Sequence, residues 1–330
     1  MKVSREYRFP WLRAVHWTAR QVLERTGYTW ELRRRGELKI GLWRKSFRRD
    51  LKKKPHVKRF VLVPGFGDTS LSWFVILALL RPVLRARYDE VVLLDFPGFG
   101  GFLSRERAFD SMDLLVDAVS DVFDTLKPDT VLGHSLGGWL TSLYAVACGA
   151  GTRPAGRTVN YQGPELIILV DPPGLFESPD RRKEFEGVFQ RVVEKGLVAW
   201  RPFIFGKEPV WFRFFAGEVD SFLGKTEVHQ FMGSVKDEHF LADSIEKIRS
   251  RVWLLWGEKD TLIPPVMAEH WTSRLKAGTE SSGREVRAVV LKGVGHSPQI
   301  ENPVTTAAAL ANLYHDKIPQ KLMNRWCKVT

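Results

Sequence analysis

From Arg59 to about residue 315, short apolar runs alternate with longer segments of helical spacing, and this alternation strongly constrains the fold. A strand that is buried on both faces needs a continuous apolar run, and the helical segments between such strands cover the sheet. The sequence therefore predicts an α/β fold with a largely parallel sheet flanked by helices. The predicted strands are residues 60–63, 91–94, 130–132, 166–170, 252–256 and 286–291.

Four segments have the apolar spacing of helices. They are residues 70–84, 111–126, 136–148 and 305–315. The interval between Leu175 and Ile248 breaks the alternation, because it has no convincing strand and many aromatic residues. We predict that residues 175–248 form a helical cap inserted into a core domain made of residues 28–174 and 249–330.

The N-terminal part of the chain has a different periodicity. Apolar residues recur at helical spacing between Pro10 and Arg25, and a glycine follows at the predicted helix end. Residues 1–27 are therefore predicted to form a basic amphipathic helix. The alternating runs 28–35 and 37–45, separated by a glycine, predict a β-hairpin.

Positive charge is concentrated in the same region. Residues 1–58 hold 18 Lys/Arg against 5 Asp/Glu, whereas the remaining residues hold 32 against 33. Such an imbalance predicts contact with an anionic surface. We predict an anionic membrane surface, with ordinary packing of the helix on the core as the alternative. Nucleic acid is disfavoured because no recognised binding module is present and aromatic residues are not interleaved with the basic cluster.

Cysteine content and hydropathy restrict the compartment and the cofactors. The two cysteines, Cys148 and Cys327, lie without metal-ligand spacing, so neither a disulfide framework nor a zinc site is predicted. The sequence contains no stretch of about 18 apolar residues and no secretory signal pattern. We expect a cytoplasmic protein, peripheral to the membrane at most, that uses no metal and no organic cofactor.

The pentapeptide Gly133-His134-Ser135-Leu136-Gly137 follows a predicted strand and opens a predicted helix. This is the context of a G-x-S-x-G nucleophile elbow. Small residues on either side of the serine let backbone segments approach closely, and the sharp turn raises the hydroxyl to the carboxyl edge of the sheet. The pattern predicts Ser135 as a nucleophile and assigns no chemical role to His134.

A serine hydroxyl needs a general base, and the base needs a carboxylate that orients it. His296 follows the last predicted strand in a glycine-containing turn and is the predicted base. Asp260 follows the preceding strand and is the predicted carboxylate. Asp171 and Glu258 also follow strands, and Asp171 is the stronger alternative because it too lies at a carboxyl edge.

Attack on a carbonyl carbon produces an oxyanion, which needs backbone N–H groups already in place. The N–H of Leu136, directly after the nucleophile, is one predicted donor. The N–H of Phe66 is the second, because Pro64-Gly65-Phe66-Gly67 follows a strand and its glycines permit a close turn. The segment lacks the phosphate-loop pattern, so it is not predicted to bind a nucleotide.

Five segments in this order resemble the α/β-hydrolase superfamily, in the branch that includes monoacylglycerol lipases, carboxylesterases and meta-cleavage C–C hydrolases. They are residues 63–67, 94–100, 133–138, 256–260 and 295–303. The order serine, aspartate, histidine is also that of the superfamily. The resemblance implies a mostly parallel eight-stranded sheet with a cap inserted after the sixth strand. The chain departs from the family pattern at Pro64-Gly65, where relatives usually have His-Gly.

Aromatic residues are dense in the predicted cap and near the elbow, which predicts an apolar pocket for an acyl chain or an aromatic acid. The predicted pocket residues are Trp73, Trp139, Phe203 and Trp211. We therefore predict a serine hydrolase that cleaves carboxylic esters of apolar acids through an acyl-enzyme intermediate.

Two other functions fit the same residues. A C–C bond hydrolase would use them on a vinylogous diketone, with Arg201, Lys207 and Arg213 available to hold a second carboxylate. A non-catalytic ligand-binding or membrane-associated protein would keep the fold alone. Dehalogenase and epoxide hydrolase chemistry is disfavoured, because relatives with those activities have a carboxylate at the position of Ser135.

Overall fold

One nine-stranded sheet organises the protein. The computed structural model describes residues 10–35, 38–48, 50–51, 54–97, 109–151, 161–214, 216–278, 284–315 and 327–329. The strands are β1 (Thr29–Arg35), β2 (Leu38–Ser46), β3 (Arg59–Val63), β4 (Glu90–Asp95), β5 (Thr130–His134), β6 (Leu166–Val170), β7 (Arg251–Gly257), β8 (Val286–Leu291) and β9 (Cys327–Val329). Their order is β1-β2-β4-β3-β5-β6-β7-β8-β9, with β3 to β8 parallel and β1, β2 and β9 antiparallel to their neighbours.

Helices cover both faces of the sheet. Successive strand residues point to opposite faces, so Val61 and Val63 pack with the helices on one face of the sheet, whereas Phe60 and Leu62 pack with the helices on the other. The α-helices are α1 (Pro10–Arg25), α2 (Phe74–Leu79), α3 (Arg81–Arg87), α4 (Met112–Leu126), α5 (Leu136–Ala150), α6 (Pro179–Lys195), α7 (Leu197–Ile204), α8 (Ala216–Leu223), α9 (Thr226–Gly233), α10 (Val266–Ala277), α11 (Pro298–Glu301) and α12 (Pro303–His315).

The predicted fold class is confirmed, with two differences in detail. All eight predicted strands are present, and the short strand β9 adds a ninth by pairing antiparallel with β8. The segment predicted as one helix over residues 70–84 is instead the 3₁₀ turn Ser70–Trp73 followed by α2 and α3. Pro82 lies in the first turn of α3, where its missing N–H is tolerated, and this explains the break.

Between β6 and β7 the described chain forms α6 to α9 and three 3₁₀ turns and no strand. These helices pack on the loop after β3 through Phe66. Its ring contacts four cap rings at centroid distances of 5.2 to 6.2 Å, those of Phe189, Trp200, Phe222 and Phe231. The helical segment therefore lies over the carboxyl edge of the sheet.

The N-terminal helix α1 coincides with the predicted helical spacing from Pro10 to Arg25 and joins the core at its end, whereas residues 1–9 of the predicted segment 1–27 lie outside the described residues. Leu23 is buried in the hydrophobic cluster that also contains Tyr28 and Trp43, whereas Trp17 is 65% exposed. In the hairpin that follows, the Trp30 ring lies against Gly41, and any side chain at that glycine would overlap the ring. No helix in the described part of the chain is both long enough and apolar enough to span a bilayer.

Candidate active site

Ser135 lies between β5 and α5 in a strained turn. Its φ of 49° and ψ of −118° are unusual for a residue other than glycine. The turn fits because a side chain at Gly133 would overlap the Gly137 backbone, and one at Gly137 would overlap the Val63 carbonyl. The two glycines of the motif therefore allow the close backbone contacts that hold the serine at the carboxyl edge of the sheet.

The structure brings Ser135, His296 and Asp260 together in one line of hydrogen bonds. Ser135 Oγ lies 2.8 Å from His296 Nε2, and His296 Nδ1 lies 2.7 Å from Asp260 Oδ2. The three residues are 9%, 4% and 2% exposed. An ionised carboxylate only accepts hydrogen bonds, so Nδ1 carries the imidazole proton and Nε2 is free to accept the serine proton.

Backbone N–H groups hold Asp260 in place. Its Oδ1 accepts hydrogen bonds from Leu262 N at 2.8 Å and Ile263 N at 2.9 Å. With His296 Nδ1–H on Oδ2, three donors point at this carboxylate. These contacts fix the orientation of the carboxylate that faces His296.

The alternative carboxylates do not contact His296. Asp171 is fully buried and accepts a hydrogen bond from Gly257 N at 2.8 Å. Burial, and then the neighbouring Asp260 charge, raise the pKa of Asp171 well above its usual range. Glu258 accepts from Gly293 N at 3.0 Å at the exposed side of the loop. Of the three candidates, the structure places Asp260 on the histidine.

The two predicted oxyanion donors lie beside the serine. Leu136 is the first residue of α5, a position whose N–H has no acceptor within the helix. A side chain at Gly65 would come within 3.2 Å of Ser135 Cβ, so the Phe66 segment runs close to the serine. Phe66, Ser135 and Leu136 line the same cavity.

His134, which the sequence assigns no role, contacts the loop that carries the histidine. Its Nε2 lies 2.8 Å from the His296 carbonyl oxygen and therefore carries a proton. Gln299 Nε2 lies 3.4 Å from His134 Nδ1 and 3.0 Å from Asp68 Oδ2. His134 thus fixes the backbone of the loop that carries His296. The variable position of the elbow motif carries no signal for such a contact.

Glu301 joins the same loop to the cap. Its Oε1 accepts from Gly295 N at 3.0 Å, and its Oε2 accepts from Gly206 N at 3.0 Å and Lys207 N at 3.1 Å. Burial raises the pKa of Glu301 in spite of these donors. Gly206 and Gly295 are in backbone contact, since a side chain at Gly295 would overlap Gly206 N. One carboxylate therefore connects the cap to the loop of His296.

Ser135 opens onto two cavities of different character. The larger, of about 340 Å³, is mostly apolar, and its lining includes Phe66, Leu136, Trp139, Phe189, Phe231 and Phe240. The smaller, of about 80 Å³, lies on the side of His296, and its polar lining includes Asp68, His134, Ser297 and Gln299. The serine lines both, so a bound ester has one apolar and one partly polar compartment.

Of the four predicted pocket residues, only Trp139 lines the larger cavity. Trp73 is fully buried against the His134 ring and lines neither cavity. Phe203 lines a separate cavity of about 280 Å³ next to α6. Trp211 is 47% exposed on the cap and likewise lines neither. The sequence could not place Trp73, Phe203 and Trp211 relative to these cavities, because aromatic density does not reveal which face of a helix meets a cavity.

One group of side chains outside the site has the proximity of metal ligands. The atoms of Asp113, Glu238 and His239 lie within 4.8 Å of one another. However, Lys236 Nζ lies 2.7 Å from Asp113 Oδ2 and 3.5 Å from Glu238 Oε1. The lysine ammonium already supplies the positive charge, and the group serves as an ion-pair contact between α4 and the cap.

Known structures share this architecture. A membrane phospholipase A described as a bacterial virulence factor is 19% identical with a TM-score of 0.63, covering 93% of each chain. An esterase from Exiguobacterium antarcticum is 17% identical with a TM-score of 0.59, covering 84% of this chain and 95% of that chain. A carboxylesterase from Bacillus subtilis is 15% identical with a TM-score of 0.59, covering 93% and 99%. Likenesses at these identities show the fold alone.

Comparison at the level of sequence identifies the family. No curated protein matches the chain significantly. The profile of the alpha/beta hydrolase family matches residues 60–309. That span contains the six parallel strands, the cap and all three residues of the hydrogen-bonded line. The chain therefore belongs to the α/β-hydrolase family.

Proposed function

We propose that the protein is a serine hydrolase that cleaves carboxylic esters of apolar acids. The observation that carries the proposal is the line Ser135–His296–Asp260, which opens at its serine end into a cavity with aromatic walls. A nucleophile, a base and an orienting carboxylate at hydrogen-bonding distance are the arrangement that acyl transfer requires.

The reaction proceeds in two acyl transfers. His296 Nε2 takes the Ser135 proton while Oγ forms a bond to the ester carbonyl carbon. The N–H groups of Leu136 and Phe66 stabilise the resulting oxyanion. His296 then returns the proton to the leaving alcohol as the C–O bond breaks, which leaves an acyl-serine. Water attacks this ester in the same way, releases the acid and restores the serine.

The two cavities assign the two parts of the substrate. The acyl chain fits the larger one, because its walls are mostly aromatic and aliphatic. A volume of about 340 Å³ equals on the order of ten water-sized volumes, at roughly 30 Å³ each, so the cavity has room for an acyl chain of medium length. The leaving alcohol lies on the His296 side, where Asp68, Ser297 and Gln299 provide polar groups.

Hydrolysis of p-nitrophenyl esters from acetate to palmitate tests the proposal. The wild type is expected to turn over these esters with a maximum at an acyl chain of medium length. The Ser135→Ala variant should lose at least about 10⁴-fold in kcat, as expected when a nucleophile is removed. A folded wild-type protein that hydrolyses no ester, or an alanine variant that keeps full activity, would overturn it.

The C–C hydrolase alternative has less support, because the side chains of two of its three candidate carboxylate partners do not reach the serine cavities and that of the third, Arg213, lies outside the described side chains. Arg201, one of its candidate carboxylate partners, is paired with Glu208 at the surface. Neither Arg201 nor Lys207 lines either cavity at the serine. The apolar walls therefore favour an ester of a neutral acyl chain over a substrate with a second carboxylate.

We also propose that the basic N-terminal region rests on an anionic membrane surface. The charge excess of residues 1–58 and the exposed Trp17 of α1 support this assignment. Co-sedimentation with phosphatidylglycerol vesicles should exceed that with phosphatidylcholine vesicles and should fall at high salt. Equal binding to the two vesicle types, or no binding at low salt, would contradict it.

A further inference from the structure

Two buried carboxyl groups lie next to each other behind the histidine. Asp171 follows β6 and Asp260 follows β7, and these strands are parallel neighbours whose carboxyl ends meet. Both side chains are at most 2% exposed. Asp171 also has a φ of 47°, a left-handed conformation that is rare for a non-glycine residue. A strained backbone and two adjoining buried acids require a stabilising contact.

Hydrogen-bond donors are divided unequally between the two acids. Asp260 accepts from Leu262 N, Ile263 N and His296 Nδ1, so both of its oxygens have donors. Asp171 accepts only from Gly257 N on Oδ1, and its buried Oδ2 has no donor. A buried oxygen without a partner is costly. The cost disappears if Oδ2 itself carries a hydrogen and donates it to Asp260.

The electrostatics agree with this arrangement. Burial is the main reason that the pKa of Asp171 is raised, and the adjacent Asp260 charge raises it further. Gly257 joins the two residues, since its N–H donates to Asp171 Oδ1 at 2.8 Å and its carbonyl oxygen accepts from Asp260 N at 3.2 Å, so the two carboxyl groups lie at one turn. Two buried acids side by side do not both ionise, and a carboxylic acid that stays neutral in an apolar site becomes a hydrogen-bond donor.

We propose that Asp171 is a positioning residue for the reaction: it carries a proton and donates a hydrogen bond to the Asp260 carboxylate, which in turn holds His296. No net proton transfer is involved. The bond orients Asp260 and withdraws part of its negative charge, and this charge stabilises the histidine after it has taken the serine proton. Asp171 thus acts on the base through Asp260 and touches no substrate.

Infrared difference spectroscopy of the wild type against Asp171→Asn tests the proton directly. Asparagine keeps the acceptor for Gly257 N–H and a donor for Asp260, and it tolerates the left-handed φ. At neutral pH the wild type should show the carbonyl stretch of a protonated carboxyl group, shifted in D₂O and missing from the variant. A wild type without this band overturns the proposal, and the result does not depend on any substrate.

Kinetics test the positioning role and rest on the proposed ester hydrolysis. Asp171→Asn should keep kcat/KM within about threefold, because it reproduces the neutral acid. Asp171→Gly accepts the φ but loses the donor, so kcat should fall by about 10- to 100-fold while KM is unchanged. The acidic limb of its pH–rate profile should move to higher pH, since Asp260 then presents more negative charge to the histidine.

A background variant separates this role from general stability. In Asp260→Asn, the additional change Asp171→Gly should lower kcat by less than about twofold, because the group through which it acts is already altered. Thermal unfolding confirms that each variant is folded at the assay temperature. If Asp171→Gly has the same effect with and without Asp260, or if Asp171→Asn is as damaging as Asp171→Gly, the proposal is wrong.

Discussion

In the core, Ser135, His296 and Asp260 are joined by hydrogen bonds of 2.7 and 2.8 Å. Within the cap and where it meets the core, by contrast, contacts such as Phe185–Phe189 and Phe66–Phe189 are between rings whose centroids lie 4.7 and 6.2 Å apart. Hydrogen bonds depend steeply on angle and distance, whereas ring contacts tolerate a range of geometries. The comparison teaches that a few directional bonds hold the three side chains in line, whereas the shape of the cavity depends on the volume the rings leave free.

The largest expected effect on kcat comes from a change in the hydrogen-bonded line of Ser135, His296 and Asp260. Asp260→Asn keeps the side-chain shape but faces His296 with an amide that favours the wrong imidazole tautomer. We expect kcat to fall by about 10⁴-fold while the preference among ester chain lengths stays the same. Steady-state kinetics on short and long esters measure both quantities. A large change in chain-length preference would show that the core also selects the substrate.

The volume of the cap cavity can be changed without touching the catalytic line. Gly233 lines the larger cavity at the end of α9, and a side chain there meets nothing within 4 Å of its Cβ. Gly233→Phe should lower kcat/KM for long esters by about 10- to 100-fold and leave acetate hydrolysis nearly unchanged.

The matched control for this change is Gly217→Phe. Gly217 lies in α8, has the same open space around its Cβ and lines neither cavity. This variant should leave the chain-length profile unchanged. If both phenylalanine variants reduce activity on all esters alike, the cavity at Gly233 is not where the acyl chain lies.

Glu301 connects the two regions, and its replacement tests how strongly they are coupled. In the wild type, the N–H groups of three residues share the two carboxylate oxygens of Glu301. Glu301→Gln leaves a single acceptor oxygen, so either the loop of His296 or the cap loses a hydrogen bond. We expect kcat/KM to fall by about tenfold for short and long esters alike. Glu208→Gln, which changes a cap carboxylate paired with Arg201 at the surface, is the control and should have no such effect.

The smallest expected effect is on stability as a function of pH. The pKa of Asp171 is raised in the folded state, so this residue binds a proton there more tightly than in the unfolded chain. Above about pH 4, Asp171 ionises in the unfolded chain only, and the free energy of unfolding of the wild type therefore falls as pH rises. Asparagine does not titrate. The Tm of Asp171→Asn minus that of the wild type should therefore increase from pH 4 to pH 7.

A second variant, for which the Tm difference should change with pH in the opposite direction, provides the comparison for that measurement. Hydrogen bonding to Lys236 is the main cause that lowers the pKa of Asp113. The stability this contact contributes is present above the unfolded pKa and is lost as pH falls, so the Tm difference for Asp113→Asn should decrease from pH 4 to pH 7. The effect is small because Asp113 is half exposed. A Tm difference that increases in both variants would contradict the assignment of Asp113, and one that decreases in both would contradict that of Asp171.

Much of the fold could be predicted from periodicity, because a strand buried on both faces must be apolar throughout. The bounds of α1, β6 and β8 agree with the sequence pattern to the residue. The prediction failed over residues 70–84, where apolar spacing continues through a helix break, and it missed β9. A three-residue edge strand has too few side chains for a periodic signal.

The residues of the catalytic line could also be proposed from the sequence, since Ser135, His296 and Asp260 each follow a strand at the carboxyl edge. That edge is where neighbouring parallel strands bring their loops together. The choice between Asp260 and Asp171 was not available from spacing, because both acids follow adjacent strands. It depended on which carboxylate the loop turns toward His296.

By itself, the sequence determined the parallel sheet, the strained elbow and the position of Ser135 at the carboxyl edge, because these depend on local patterns of apolar residues and glycine. Only the tertiary structure decided which aromatic rings face the cavity, that Glu301 connects the cap to the histidine loop, and that Asp171 lies beside Asp260. These features join residues that are distant in the chain. Their contacts depend on the directions in which side chains point after packing, and no local pattern encodes those directions.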